Sequence, residues 1–241
     1  MKKILLLLLL VAPLSGLASS EMELDHAPIK PRDTLSLQRG AKVFVNYCLS
    51  CHSAEYMRYN RLRDLDLTEQ QIKDNLMFAT DKVGNTMKVA MRHDDAKIWF
   101  ITPPPDLTVI ARSRGADWLY TYLRKFYRDD ASPTGWNNLV FDRVNMPNVL
   151  YELQGEQRLK VEKPMIHGEE HTIRTVELAT PGKLKPLEYD MMVADLVNYL
   201  VYMGEPAKAW RLRIGIIALF FLAVMFVVVY WLKREYWKDV H

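Results

Sequence analysis

Cys48 and Cys51 stand three positions apart with His52 directly after them, so two thiols and an imidazole fall within five residues of a chain that has no other cysteine. C-x-x-C-H is the spacing at which c-type haem is attached. Positions i and i+3 of a helical turn share a face. Both thiols can therefore reach the two vinyl groups along one side of a porphyrin while the next residue directs its ring at the iron. Two other chemistries use paired thiols. A thioredoxin-like redox pair belongs to a βαβ pattern, which is not what precedes Cys48. A structural zinc site wants four nitrogen or sulfur ligands, and no third cysteine exists to join these two. If haem takes both thiols no disulfide can form, so packing and the cofactor must hold the fold.

A second axial ligand would have to come from elsewhere. Of twelve methionines, Met146 stands out because Asn145 and Pro147 place it in a stiff, non-helical loop. That loop belongs to a long irregular stretch, residues 127–149, broken by Pro133, Gly135 and Pro147 but carrying Trp136, Phe141, Val144 and Val149, which argue for order. Haem propionates favour guanidinium partners, and Arg112 and Arg114 are candidates. Arg58, Arg61 and Arg63 could serve too, although a solvated surface is the expectation for at least two of them. His167 and His171 flank Glu169 and Glu170 and are expected in a solvated hairpin loop rather than a metal site. The glutamates at 152, 156, 169, 170 and 177 could form an acidic docking face, although scattered surface carboxylates are the expectation.

The elements that must position these groups are mostly helical. Asp33 or Thr34 can cap a helix on which Leu37, Ala41, Phe44, Cys48 and Cys51 fall along one stripe. Gly40 within it costs about 1 kcal/mol relative to Ala, which a close helix crossing would explain. Thr68 with Gln71 forms a capping box before Ile72, Leu76, Ala79 and Val83. Pro103, Pro104 and Pro105 must run extended, a rigid segment able to wall a flat cofactor. Asp106 is expected to cap a helix over Leu107–Arg114, Gly115 to break it, and Asp117 to cap another carrying Leu119, Tyr122, Leu123 and Phe126. Leu159 with Val161, and Ile173 to Leu178, suggest a small hairpin. Helical period returns at Tyr189–Met203 with Met192, Leu196, Tyr199 and Met203, and Gly204 and Pro206 end it.

The chain divides into four. Residues 1–20 have a Lys2-Lys3 start, an apolar run too short to span a bilayer and a small-residue cleavage site, the pattern of an export signal. Residues 21–212 form the exported domain, opening on an extended lead-in from Glu21 to Arg32. Residues 213–232 form a transmembrane helix, with nineteen uncharged residues from Ile214 to Leu232 reaching nearly 30 Å, and 233–241 a cytoplasmic tail. Lys208, Arg211 and Arg213 on one flank match Lys233, Arg234 and Lys238 on the other, so orientation rests on the export signal and not on basic residues. Two of the 32 basic residues lie in 1–20 and four in 213–241, the latter with two of the 29 acidic ones. That leaves 26 basic against 27 acidic in the exported domain, a balance that gives no support to a nucleic-acid partner.

Several blocks beyond C-x-x-C-H occur in matching order: Q-R-G-A-K-V-F-V-N-Y-C-L-S-C-H-S from Gln38, P-P-P-D-L-T-V-I-A-R from Pro103, R-G-A-D-W-L-Y-T-Y-L from Arg114, G-W-N-N from Gly135, N-M-P-N-V-L from Asn145 and Y-D-M-M-V-A-D-L-V-N-Y-L from Tyr189. With these, from about Leu35 through the tail helix, the chain resembles the cytochrome c1 family, the haem subunits of bacterial quinol:cytochrome c oxidoreductase (bc1) complexes. The resemblance implies a mainly α fold: a c-type cytochrome helical domain with a proline-rich loop and a small hairpin insertion, plus one C-terminal transmembrane helix. It implies one covalent haem c, held through Cys48 and Cys51, with His52 and Met146 as axial ligands, Arg114 near a propionate, and Pro105 and Trp118 lining the haem. It further implies single-electron relay from a Rieske iron-sulfur protein to a soluble or membrane-bound cytochrome c, without bond-making chemistry of its own. Cytochrome b and a homodimeric complex follow by the same likeness, as does a single-pass place in the bacterial inner membrane with the haem domain periplasmic. Some bacterial members carry an additional cysteine pair that this chain lacks, which leaves open how its distal loop is braced. Two other readings stay in view. A tethered c-type cytochrome serving another reductase or oxidase would share the haem motif but not the later blocks, and a thiol-disulfide enzyme would have two free thiols and no haem.

Overall fold

The Asp33 carboxylate accepts from the Ser36 amide at 3.0 Å, and helix α1 (Thr34–Val43) follows from that cap. The structure, a computed structural model, describes residues 23–89, 91–166 and 169–239. The export signal expected over 1–20 lies outside them, as does His167. After α1 and a π-helical turn (Phe44–Cys48) come β1 (Ala54–Arg58), a 3-10 turn (Tyr59–Leu65), α2 (Glu69–Leu76), β2 (Thr86–Met87), α3 (His93–Phe100), α4 (Ile110–Ser113) and α5 (Ala116–Arg124). Next are β3 (Phe126–Arg128), β4 (Trp136–Asn138), α6 (Tyr151–Gln154), β5 (Gly155–Glu162), β6 (Met165–Ile166), β7 (Glu169–Glu170), β8 (Ile173–Pro181), α7 (Pro186–Gly204) and α8 (Lys208–Tyr236). About half of the described residues are helical, in keeping with the mainly α fold expected.

The core is built where α1 and α5 pack on α7. From α7 it takes Tyr189, Val193, Leu196, Val197, Tyr199, Leu200 and Met203, all buried against Leu37, Ala41 and Phe44 of the first helix and its π turn and against Leu119, Tyr122 and Leu123 of α5. Gly40 marks the crossing. A Cβ there would stand 2.1 Å from the Asp195 carbonyl oxygen and 2.7 Å from Tyr199 Cβ, so the two backbones approach too closely for any side chain. The lead-in is tied down by side chains. Asp117 Oδ1 accepts from the Ala27 amide and Thr121 Oγ1 from the Asp25 amide, both at 2.8 Å.

The four carbonyls at a helix C-terminus lack intrahelical donors. At the end of α5 three of them find side chains from four other elements: Asn138 Nδ2 donates to Tyr122 O (2.8 Å), the Tyr189 hydroxyl to Leu123 O (2.8 Å), and Gln154 and Gln157 to Arg124 O (3.0 and 2.9 Å). One helix end thereby gathers the loop before Met146, the hairpin base and the tail-side helix. The Arg124 guanidinium adds a two-pronged pair with Asp190, at 2.6 and 2.9 Å, and a contact to Asp25 at 2.7 Å.

Several local expectations change. The α2 capping box is present, but the helix stops at Leu76, so Ala79 and Val83 lie beyond it. The predicted Leu107–Arg114 helix shrinks to α4, and Asp106 does not cap it; its carboxylate accepts instead from the amides of Glu55 (2.7 Å) and Thr108 (2.8 Å). Asp117 sits inside the first turn of α5, and the residue before that helix is Gly115, whose φ of +90° is open to glycine. The hairpin is larger than expected: β5 and β8 pair antiparallel from Gly155 with Pro181 to Glu162 with Ile173. It extends a sheet of order β4-β3-β5-β8. All three arginines of residues 56–65 are exposed and engaged locally, Arg58 with the Gly84 carbonyl, Arg61 with Asp64 and Arg63 with Glu69. Beyond Gly204 and Pro206, helix α8 is longer than the predicted span at both ends, and its apolar side chains are exposed along its length.

Candidate functional site

Phe44 and Val45, both buried, anchor the π turn that ends the first helix, where the Leu49 amide donates to Phe44 O at 3.0 Å. Such one-turn widenings recur at functional sites. Directly after it, the amides of Cys51 and His52 both donate to Cys48 O, at 3.1 and 2.8 Å, which folds the two thiols and the imidazole into one turn. Cys48 is half-buried, and that burial, with Cys51 beside it, pushes its thiol up to about 12. A thiol held protonated is a poor redox nucleophile, so Cys48 does not suit that role.

His52 is 9% exposed, and its Nδ1 lies 2.7 Å from the Pro105 carbonyl oxygen. A carbonyl only accepts, so Nδ1 carries the proton and Nε2 keeps its lone pair. Burial lowers the His52 pKa, with the Pro105 carbonyl and Asp106 partly opposing it, so the ring is neutral, the form that ligates a metal. A second strip of chain fixes that ring. Besides Pro105, the Leu107 amide donates to Ser53 O (2.9 Å), Asp106 accepts from Glu55, and Thr108 Oγ1 accepts from the Tyr56 amide (3.3 Å). The rigid triple proline therefore leads into a clamp on residues 52–56.

Met146 is half-buried against the core, and its Sδ accepts from the Tyr122 hydroxyl at 3.4 Å. Trp118, one turn earlier on α5, stacks on Tyr122 with ring centroids 4.8 Å apart and planes 11° from parallel. The exposed Arg114 guanidinium lies 5.2 Å from the Trp118 ring centre. Asn145 Nδ2 donates to Thr102 Oγ1 at 3.4 Å, joining the methionine loop to the proline segment that holds His52. The sequence-predicted residues thus form two groups, Cys48, Cys51 and His52 in a turn with Pro105 on His52, and Met146, Trp118 and Arg114 in a chain of contacts through Tyr122, with Asn145 and Thr102 bridging the two segments. Arg112 and Arg114 are both exposed. Nε2 of a neutral imidazole beside two thiols is a donor set that suits covalent haem.

A model of the cytochrome C1 family matches residues 25–240. The chain belongs to the cytochrome c1 family. It is 51% identical over 242 residues to a protein named cytochrome c1 from Allochromatium vinosum, covering all of this chain and 99% of that one. It is 50% identical over 242 residues, with the same coverage, to a protein named ammonia monooxygenase gamma subunit from Nitrosomonas europaea. Cytochrome c1 of Rhodospirillum rubrum is 24% identical over 86% of this chain and 83% of its own. The cytochrome c1 family carries covalently bound haem c and transfers electrons within the bc1 complex, which implies cytochrome b and a Rieske protein as partners. The apolar stretch of α8, Trp210–Tyr236, fits a single-pass membrane protein.

Sequence reasoning missed three residues. Asn137 and Asn138 are buried, and their side chains brace the loop before Met146. Asn138 Oδ1 accepts from the amides of Val140 (2.8 Å) and Phe141 (3.4 Å), and Asn137 Oδ1 from those of Asn138 (2.8 Å) and Arg143 (2.9 Å). The third is Tyr122, read only as core. G-W-N-N held the signal for the asparagines, since two adjacent amides in an irregular apolar stretch need partners.

Proposed function

We propose that Cys48, Cys51, His52 and Met146 hold the haem of this electron-transfer subunit, and that its electron leaves to a soluble or membrane-bound cytochrome c. The observation that carries this reading is the His52–Pro105 bond, which leaves a buried, neutral imidazole with Nε2 free beside two thiols in the same turn. When bound, haem c supplies a one-electron Fe(III)/Fe(II) couple. The Cys48 and Cys51 thiols would hold it through two thioether bonds to its vinyl groups, an addition that balances with no leaving group. His52 Nε2 and Met146 Sδ would hold its iron, an imidazole and thioether pair that would favour a high potential and electron transfer over ligand chemistry. Pro105 keeps the imidazole proton on Nδ1, Trp118 lines the site, and Arg114 stands ready for a propionate.

In the same reading, residues 1–20 direct export and are removed. Residues 21–212 then lie on the periplasmic side of a bacterial inner membrane, 213–232 cross it, and 233–241 end in the cytoplasm, within a homodimeric complex. Purifying the membrane complex and staining for covalent haem tests this. The expected result is a stained band of this size travelling with cytochrome b and a Rieske protein, and loss of stain in the Cys48→Ala, Cys51→Ala double variant. Free thiols in place of stain, or copurification with a monooxygenase instead of cytochrome b, would overturn it.

A further inference from the structure

The Tyr122 hydroxyl is aimed at the sulfur of Met146 from a ring that is held on two sides. Trp118 stacks on one side at 4.8 Å, and Phe126 meets it edge-on at 4.9 Å and 69°. The ring is buried, and its own backbone carbonyl is held by Asn138, the residue that also ties down the approach to Met146. The phenol and the thioether therefore sit on elements joined to each other, 3.4 Å apart.

A thioether sulfur has two lone pairs, so Met146 can bind a metal with one and accept a phenol hydrogen with the other. A hydrogen bond to the second pair withdraws electron density from sulfur. A poorer electron donor on iron favours the reduced state. We infer that Tyr122 is a positioning residue of this site, donating to Met146 Sδ so as to hold the thioether in place and raise the reduction potential. The inference rests on Met146 being the distal ligand. From the residues Tyr122 looks like one more member of an apolar stripe, and only the contact to sulfur gives its hydroxyl a purpose.

Two variants of the full membrane-bound chain, Tyr122→Phe and Met146→Leu, separate the inference from the reading beneath it. Each is measured for haem content, for the ferric absorption band marking methionine ligation, and for reduction potential. Phe keeps the ring stack and removes only the donor, so haem content and the methionine band should survive. The equilibrium constant for reduction should fall about three- to tenfold, which at about 59 mV per tenfold for one electron is roughly 30–60 mV. Met146→Leu should abolish the band. If Tyr122→Phe keeps the wild-type potential, or a higher one, under an intact band while Met146→Leu loses it, the role of Tyr122 is overturned and the ligand assignment stands. If Met146→Leu keeps the band, the assignment fails and takes the inference with it.

Discussion

Asn138 is 1% exposed and serves three backbone groups at once, the Tyr122 carbonyl and the amides of Val140 and Phe141. Replacing it with Ala should cost about 1–3 kcal/mol, because buried polar groups lose a partner that water cannot replace. Thermal melting would read the stability loss. A weakened methionine band at unchanged haem content would locate it in the loop before Met146. A full-strength band would mean the loop is held without Asn138. At this scale the sequence is uneven. Cys48, Cys51 and His52 can be proposed from sequence because haem attachment uses those types at that spacing, and Met146 because Asn145 and Pro147 stiffen its loop. Tyr122 is not legible, since a tyrosine four residues after a tryptophan on a helix has the spacing of ordinary core. Asn137 and Asn138 are hidden for the opposite reason, lying in a stretch with no period to predict which way they point.

The α1–α7 crossing depends on the absent side chain of Gly40. A Gly40→Ala chain must move the Asp195 carbonyl by more than side-chain repacking allows, so a loss of about 1–3 kcal/mol is expected although Ala is the better helix former. At about 2–4 °C per kcal/mol for a domain of this size the shift is readily measured, and a higher melting temperature would mean the helices can separate freely. The outer hairpin should behave oppositely. Past Leu159 the side chains of β5 are exposed, as are most of those on its partner strand. Replacing residues 161–174 with a two-residue Asn-Gly turn should change stability by about 0.5 kcal/mol or less. A large loss in melting temperature would show that the tip is part of the core. The same exposure explains why the hairpin looked small from sequence. A ribbon wet on both faces lacks the alternation that marks a half-buried strand, so its reach was underestimated. Asp106 and Asp117 misled differently. An aspartate before a helix looks like a cap whether it takes its own helix's amides or, as here, those of Glu55 and Ala27, and local rules do not register partners 51 and 90 residues away.

At the scale of the molecule, two bodies of matter with different solvents are joined near Pro206. The core closes without α8, whose apolar residues remain exposed, whereas α7 is buried through much of its length. A chain ended after Glu205 should therefore stay soluble without detergent and keep its covalent haem. Aggregation or haem loss in the truncated chain would show that α8 completes the fold. This division is legible in sequence because a nineteen-residue uncharged run has one obvious solvent. The way distant segments meet at the site is not. The bond from His52 to Pro105 closes a separation of 53 residues, and a chain made from its N-terminus presents the C-L-S-C-H segment well before the proline strip exists to seize it. The imidazole acquires its fixed bearing only when that later strip folds against it, so the most local motif in the chain depends for its geometry on one of its longer-range contacts.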